Sequence, residues 1–164
     1  MPEKKTVERA KQAKREGKAP STQAGEFVRE EIKHVRQGKH GARSAKQAIA
    51  IGLSKARRAG VKLAPPAKGS TSEKTRRSAA GAYRAGQAGA ARSRTRSRAA
   101  TEALNDEGRA AASRGALARH ARAAASERTA SDRSAAARKA ARTKGAEGRS
   151  AAARKAARTR ARNR

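Results

Sequence analysis

The chain has 164 residues with 43 Lys and Arg against 13 Asp and Glu, which gives a formal net charge of +30. Self-repulsion on this scale opposes compaction and calls for a polyanionic partner, either DNA, RNA or an anionic membrane surface. The sequence has no cysteine, which excludes disulfides and thiolate metal sites, and no apolar run of about 18 residues, so we expect no membrane-spanning helix.

The first segment, residues 1–20, is rich in charged residues and helix formers but has Val7 as its only sizeable apolar side chain. We predict a charged, partly helical N-terminal arm that ends at Gly17. The pair Pro65-Pro66 then marks a change of composition. Residues 1–66 carry 17 basic and 6 acidic side chains, and residues 67–164 carry 26 basic and 7 acidic ones. Most of the large apolar residues lie in the first part, and very few lie in the second.

Residues 21–66 are predicted to form an α-hairpin. In its first half, STQAGEFVREEIKHVRQG, apolar residues recur every three or four positions, which is the spacing of one helical face. A Ser21 or Thr22 cap is expected to begin this helix, and Gly38 to end it. The face consists of Ala24, Phe27, Val28, Ile32 and Val35.

The second helix of the predicted hairpin lies in SAKQAIAIGLSKARRAGVKL. Ser44 and Gln47 have the spacing of a capping box, and Gly60 followed by Val61 fits a left-handed helix end with its apolar contact. We expect Ala45, Ile49, Leu53 and Ala56 to form one face of this helix.

The hairpin core is predicted to contain Phe27, Val28, Ile32, Val35, Ile49 and Leu53. So few large side chains make a marginal core, and isolated domains of this size usually need further packing. A homodimer through the hairpin, or docking of the N-terminal segment, would supply that packing.

Residues 67–164 consist largely of alanine and arginine interrupted by glycines. Alanine is too small to close a core by itself, so we expect this tail to be disordered, with transient helices that partner binding stabilises. The predicted fold class is therefore mostly α and largely disordered: a small N-terminal α-hairpin followed by a low-complexity Ala/Arg-rich tail.

Two near-copies lie in the tail: RSAAARKAARTK at residues 133–144 and RSAAARKAARTR at residues 149–160. On a helix, three basic residues of each copy would share one stripe while alanines occupy the other side. We predict that these residues bind phosphates: Arg138, Lys139 and Arg142 in the first copy, and Arg154, Lys155 and Arg158 in the second. The intervening GAEG is expected to separate the copies into two independent basic modules.

The segment ARSRTRSRAA, residues 91–100, alternates arginine with serine and threonine. In an extended conformation its four arginines would point to one side. We predict that they are secondary contacts to nucleic acid: Arg92, Arg94, Arg96 and Arg98.

Enzymatic chemistry is not expected, because the sequence has no phosphate-binding glycine loop, no nucleophile motif and no dinucleotide-binding motif. Its three histidines, His34, His40 and His120, have no carboxylate at ligand spacing and are expected at the surface. We predict no catalytic residue, no cofactor and no metal.

The segment KQAIAIGLSKARRAG, residues 46–60, resembles a family of small, very basic bacterial proteins with a domain of unknown function. The resemblance covers roughly the first 66 residues and implies no catalytic or ligand residues. The tail resembles those of linker histones and bacterial histone-like proteins, but it prefers arginine to lysine and has almost no proline. This likeness implies association with the nucleoid.

The sequence therefore predicts a histone-like, sequence-independent DNA-binding protein of the cytoplasm that associates with the nucleoid. RNA or ribosome binding, and an adaptor function through the hairpin, are the alternatives. A helix-turn-helix reader using Lys46, Lys55, Arg57 and Arg58 is less favoured, because no third helix is evident. Membrane binding is not expected, since the basic helices lack large apolar residues on their other face.

Overall fold

A computed structural model describes residues 2–91 and 93–163. These residues form seven α-helices and one short 3₁₀ helix, and they contain no strand. The prediction that most of the chain is disordered is therefore wrong. The α-helices are α1 (Lys4–Arg15), α2 (Pro20–Arg36), α3 (Ala45–Arg58), α4 (Glu73–Gln87), α5 (Arg94–Asn105), α6 (Arg114–Ser126) and α7 (Ala130–Arg162), and the 3₁₀ helix is Ala110–Ala112.

Helix α2 occupies the first half of the predicted hairpin. It begins at Pro20, before either expected cap, because proline lacks the N–H that would have no partner there and its fixed φ suits the first turn. Two residues after its end at Arg36 comes Gly38, whose φ of 72° is readily available only to glycine. The Lys39 N–H then donates to the His34 carbonyl at 3.0 Å, which closes the last turn.

Helix α3 occupies the second half of the hairpin. The Ser44 hydroxyl accepts a hydrogen bond from the Gln47 N–H at 3.1 Å and satisfies one free donor of the first turn. At the other end, Gly60 has φ 85°, and the Val61 N–H donates to the Ala56 carbonyl at 3.1 Å. Val61 is buried, so this end has both the left-handed residue and its apolar contact.

The contact between α2 and α3 uses the small side chains of α3. Its buried face consists of Ala45, Ala48, Gly52 and Ala56. Ile49 and Leu53 lie beside this face and are only half-buried. Among the predicted core residues of α2, Phe27 and Val35 are fully buried, Ile32 is 9% exposed, and Val28 is half-buried.

Helix α1 packs against α2 and buries Thr6, Ala10 and Ala13. Glu3, just before the helix, stabilises this contact. Its Oε1 lies 2.9 Å from His34 Nε2 and 3.2 Å from Lys39 Nζ. These neighbours lower the pKa of the Glu3 carboxyl to about 2. The N-terminal segment is thus docked on the hairpin.

Part of the predicted tail also belongs to this core. Helix α4 packs against α3 so closely that a Cβ added to Gly86 would lie 1.8 Å from the Arg57 carbonyl oxygen. The 3₁₀ helix buries Ala111 and Ala112 against α2 and α3, and Arg36 Nε donates to the Ala112 carbonyl at 2.8 Å. Alanine and glycine allow backbones to approach closely, so this packing needs few large side chains.

The described chain divides into two compact units, residues 1–120 and 121–164. In the second unit, α7 has no buried residue. Alanine is the strongest helix former and arginine ranks close behind it. Gly145 is non-helical and divides α7 into segments of 15 and 17 residues, at or just above the length of about 12–15 below which isolated helices are marginal. Intrinsic propensity therefore favours a helix in both segments, although neither buries a side chain.

Among the described helices, none combines the length and the apolar composition needed to span a membrane.

Candidate nucleic-acid interface

Helix α7 begins with a reciprocal capping box. The Thr129 hydroxyl accepts from the Asp132 N–H at 3.1 Å, and the Asp132 carboxylate accepts from the Thr129 N–H at 3.1 Å. The Thr129 hydroxyl also donates to the same carboxylate at 2.7 Å. These hydrogen bonds from the Thr129 side chain and backbone lower the pKa of Asp132. The carboxylate thus caps the helix, and its negative charge interacts favourably with the positive end of the helix dipole.

A kink at Gly145 divides α7 into residues 130–144 and 146–162. Gly145 has φ 65° and ψ 175°, a conformation that L-residues with a Cβ rarely adopt. No heavy atom lies within 4 Å of the position of an added Cβ, so this glycine is required by its backbone angles and not by lack of space. One sequence repeat lies on each side of the kink.

Each half of α7 carries one exposed basic stripe. Residues three and four positions apart share a helical face, so three of the five basic residues of each repeat gather on one side. We name the two sets the repeat stripes: Arg138, Lys139 and Arg142, and Arg154, Lys155 and Arg158; all six are exposed. Within the described residues, none of the six forms a salt bridge, whereas many basic residues of the first unit do.

Helix α5 carries the arginines of the alternating segment. Ser93 caps this helix by accepting from the Arg96 N–H at 3.4 Å. Arg94 and Arg98 lie four positions apart on one face, and Arg96 lies on the other side, so the helix does not present its arginines to one side as an extended segment would. All three are exposed, and Arg98 Nε lies 3.9 Å from a Glu102 carboxylate oxygen. Arg92 lies outside the described residues.

The basic residues of the less favoured helix-turn-helix reader are partly used inside the fold. Arg57 is buried, and its guanidinium donates to the carbonyls of Leu63 and Ala64, each at 3.1 Å. Burial lowers the pKa of this guanidinium. Lys55 Nζ lies 2.5 Å from a carboxylate oxygen of the buried Glu31. Neither side chain is therefore available to enter a groove of DNA. Of the four basic residues of that hypothesis, only Lys46 and Arg58 are exposed.

Sequence reasoning missed a cluster of acidic and imidazole side chains, most of them buried, that come from α2, the turn after it and the residue before α1. Its members are Glu3, Glu30, Glu31, His34 and His40. His34 is 7% exposed, so the expected surface position is wrong for this histidine. Glu30 and Glu31 precede His34 by four and three positions, a helical spacing that the sequence already contained.

Comparison with known proteins gives one family match. Residues 3–69 match the model of a family described as "Family of unknown function (DUF6496)". The matched span contains α1, α2 and α3 and ends before α4, so both the repeat stripes and α5 lie outside it. It confirms the resemblance to a family of unknown function that the segment 46–60 indicated.

No curated protein and no solved structure matched the chain. The likeness of the Ala/Arg-rich segment to histone-like tails therefore stays a prediction.

Proposed function

We propose that this protein binds DNA without reading its sequence, as a histone-like protein associated with the nucleoid in the cytoplasm. The repeat stripes are the principal contacts, and Arg92, Arg94, Arg96 and Arg98 are secondary ones. No catalytic residue is assigned.

The observation that carries the proposal is the charge of α7. This helix has 11 basic and 2 acidic residues. All six residues of the repeat stripes are exposed, and no carboxylate among the described residues competes for them. Unpaired cations grouped on an exposed helix are the electrostatic footprint of a phosphate-binding surface.

The spacing within each stripe suits a linear polyanion. Arg138 and Arg142 are one helical turn apart, about 6 Å along the axis, and both can reach the same phosphate backbone. Each phosphate neutralised releases condensed counterion, which supplies affinity without base recognition. The opposite side of the helix carries alanines and the two outer basic residues of each repeat, which offer neither the large apolar area of a membrane-binding helix nor stacking for unpaired bases.

The helical state of α7 changes the mechanism expected from the sequence. A disordered tail would lose conformational entropy on binding, whereas a helix that exists beforehand avoids most of that cost. The two halves of α7 then act as preformed cationic rods joined at Gly145.

The proposal is tested by fluorescence anisotropy with two labelled duplexes of equal length and unrelated sequence. The variant replaces the six stripe residues by glutamine. The matched control replaces six exposed lysines of the first unit, none of which forms a salt bridge with a residue that the structure describes: Lys4, Lys5, Lys11, Lys14, Lys33 and Lys62. We expect the wild type to bind both duplexes equally, the stripe variant to lose at least about tenfold in affinity, and the control to stay within about threefold. Equal losses in both variants would show that net charge, not α7, determines binding.

Competition distinguishes the alternatives. Unlabelled duplex DNA should displace the probe at lower concentration than duplex RNA or a single strand of the same length. Preferred displacement by RNA would replace the DNA proposal with the RNA- or ribosome-binding alternative. A partner captured from nuclease-treated extract equally well by the stripe variant and the wild type would support the adaptor alternative.

A further inference from the structure

Three side chains from α2 and the turn after it converge inside the first unit. Glu31 and His34 are one helical turn apart on α2, and His40 follows the Gly38 turn that ends this helix. The carboxylate and one ring nitrogen of each imidazole lie within 4.8 Å of one another. The helix end thus brings three potential metal ligands to one point.

Lys55 on α3 contacts the carboxylate of Glu31 from one side. The Glu31 side chain is fully buried, and its Oε2 lies 2.5 Å from Lys55 Nζ. Neither carboxylate oxygen of Glu31 accepts a hydrogen bond of acceptable geometry from any residue that the structure describes. Oε1 lies 3.2 Å from His40 Nε2. A buried carboxylate oxygen without a donor is costly unless a cation compensates it.

The ring of His40 is oriented by the backbone. Its Nδ1 lies 3.0 Å from the Gly41 carbonyl oxygen, and because a carbonyl only accepts, Nδ1 carries the hydrogen. The Gly41 N–H in turn donates to the Leu104 carbonyl at 2.8 Å, which holds this residue in place. Nε2, the ring nitrogen that remains free to bind a ligand, faces Glu31 Oε1 at 3.2 Å.

The charges around the cluster favour a cation. Glu3 and Glu30 border the His34 ring, with carboxylate oxygens 2.9 and 3.8 Å from its Nε2. Together with Glu31 they make three carboxylates, whereas two ammonium groups among the described residues, Lys39 and Lys55, pair with them. Glu30 Oε2 is also buried without a hydrogen-bond donor in the described part of the chain.

We propose that Glu31, His34 and His40 bind a Zn²⁺ ion. Two imidazoles and one carboxylate are a common zinc ligand set, and bonds of about 2.0–2.2 Å place neighbouring tetrahedral ligands about 3.4 Å apart. The 3.2 Å between His40 Nε2 and Glu31 Oε1 agrees with that separation. The contacts of His40 with a backbone carbonyl and of Glu31 with Lys55 are of the kind that orient zinc ligands. The ion ties the end of α2 to the turn that leads to α3.

The proposal is tested with untagged, nucleic-acid-free, full-length protein that has been treated with a chelator. Isothermal titration with ZnCl₂ should show one equivalent bound per chain. Replacing either ligand histidine, H34Q or H40Q, should weaken binding by more than about tenfold. H120Q is the matched control, because His120 lies outside the cluster, and it should bind as the wild type does.

Two further measurements keep the test decisive if a variant is poorly folded, which circular dichroism will reveal. Co²⁺ added to the wild type should give the intense visible absorption of four-coordinate cobalt, and one equivalent of Zn²⁺ should abolish it. Zn²⁺ should also raise the Tm of the wild type and of H120Q but not that of H40Q. The proposal is overturned if the wild type binds no stoichiometric zinc, or if H40Q binds it as tightly as H120Q does.

Discussion

Gly52 of α3 lies directly against the backbone of Val28 on α2. A Cβ built on Gly52 would be 2.7 Å from the Val28 Cα and 3.0 Å from the Val28 nitrogen. Atoms of a backbone cannot move aside as the end of a flexible side chain can. The two central helices can therefore approach this closely only because residue 52 has no side chain.

Replacing Gly52 by alanine should force α2 and α3 apart. We expect G52A to lower the free energy of unfolding by about 1–3 kcal/mol, the usual cost of overpacking, as measured by urea denaturation. The matched control is G25A on α2, where an added Cβ meets no atom within 4 Å. Since alanine is the better helix former, G25A should be neutral or stabilising by up to about 1 kcal/mol. Equal effects of the two substitutions would contradict the close packing at Gly52.

Arg57 should act as a structural residue and not as a DNA contact. R57M removes the guanidinium that donates to the carbonyls of Leu63 and Ala64. We expect a loss of about 1–3 kcal/mol in urea denaturation, because hydrogen bonds from a charged donor are lost. The exposed neighbour provides the control, and R58M should change stability by less than about 0.5 kcal/mol. If DNA affinity fell more in R57M than in R58M at equal folded fraction, the result would support the helix-turn-helix reader instead.

Gly145 should determine the orientation of the two repeat stripes. On a continuous helix, an offset of 16 residues at 100° per residue turns the second stripe by about 160° from the first. G145A should favour such a helix, because alanine at φ 65° is strained. We expect weaker binding to a single duplex by several fold in fluorescence anisotropy, together with higher helical ellipticity.

G148A is the control for that substitution, since Gly148 lies in the same helix but has no positive φ. It should also raise helical ellipticity but should bind DNA as the wild type does. If G145A and G148A have equal affinity, the kink does not matter for binding.

The start of α7 should lose stability in acid. Because the folded-state pKa of Asp132 lies below its ordinary value, its ionised carboxylate stabilises the capping box above about pH 4. That stabilisation is lost as the pH falls through the folded-state pKa. The Cα chemical shifts of residues 130–134, followed by NMR, should move toward coil values over this range. D132N should show no such transition, and an identical transition in D132N would assign the effect to another group.

Helix positions in the first 66 residues were predictable because local signals agree there. Ser44 with Gln47 indicated the start of α3. Gly38 and Gly60 indicated the helix ends, and each has a positive φ two residues after its helix ends. The buried face of α3 was harder to predict, since Ile49 and Leu53 have the stronger apolar signal. Which face is buried depends on how closely α2 approaches, and Gly52 makes the small-residue face the closer one.

The structure of residues 67–164 could not be derived from the count of large apolar side chains. The 3₁₀ helix at Ala110–Ala112 joins the core through a nonlocal contact with α2, and no local signal predicts that contact. The capping box of Thr129 with Asp132 was readable in the sequence and indicates where α7 begins. The convergence of His40 with Glu31 depends on the turn geometry at Gly38 and Gly41, so the sequence spacing alone did not reveal it.

The salt dependence of DNA binding tests the central claim most directly. The logarithm of the association constant is measured against the logarithm of the salt concentration for the wild type, the six-residue stripe variant and the six-lysine control. Each phosphate contact contributes about −0.9 to the slope, so removal of all six stripe residues should flatten it by about 5 while the control keeps the wild-type slope. A stripe variant with the wild-type slope, or a control flattened to the same extent, would contradict phosphate binding by α7.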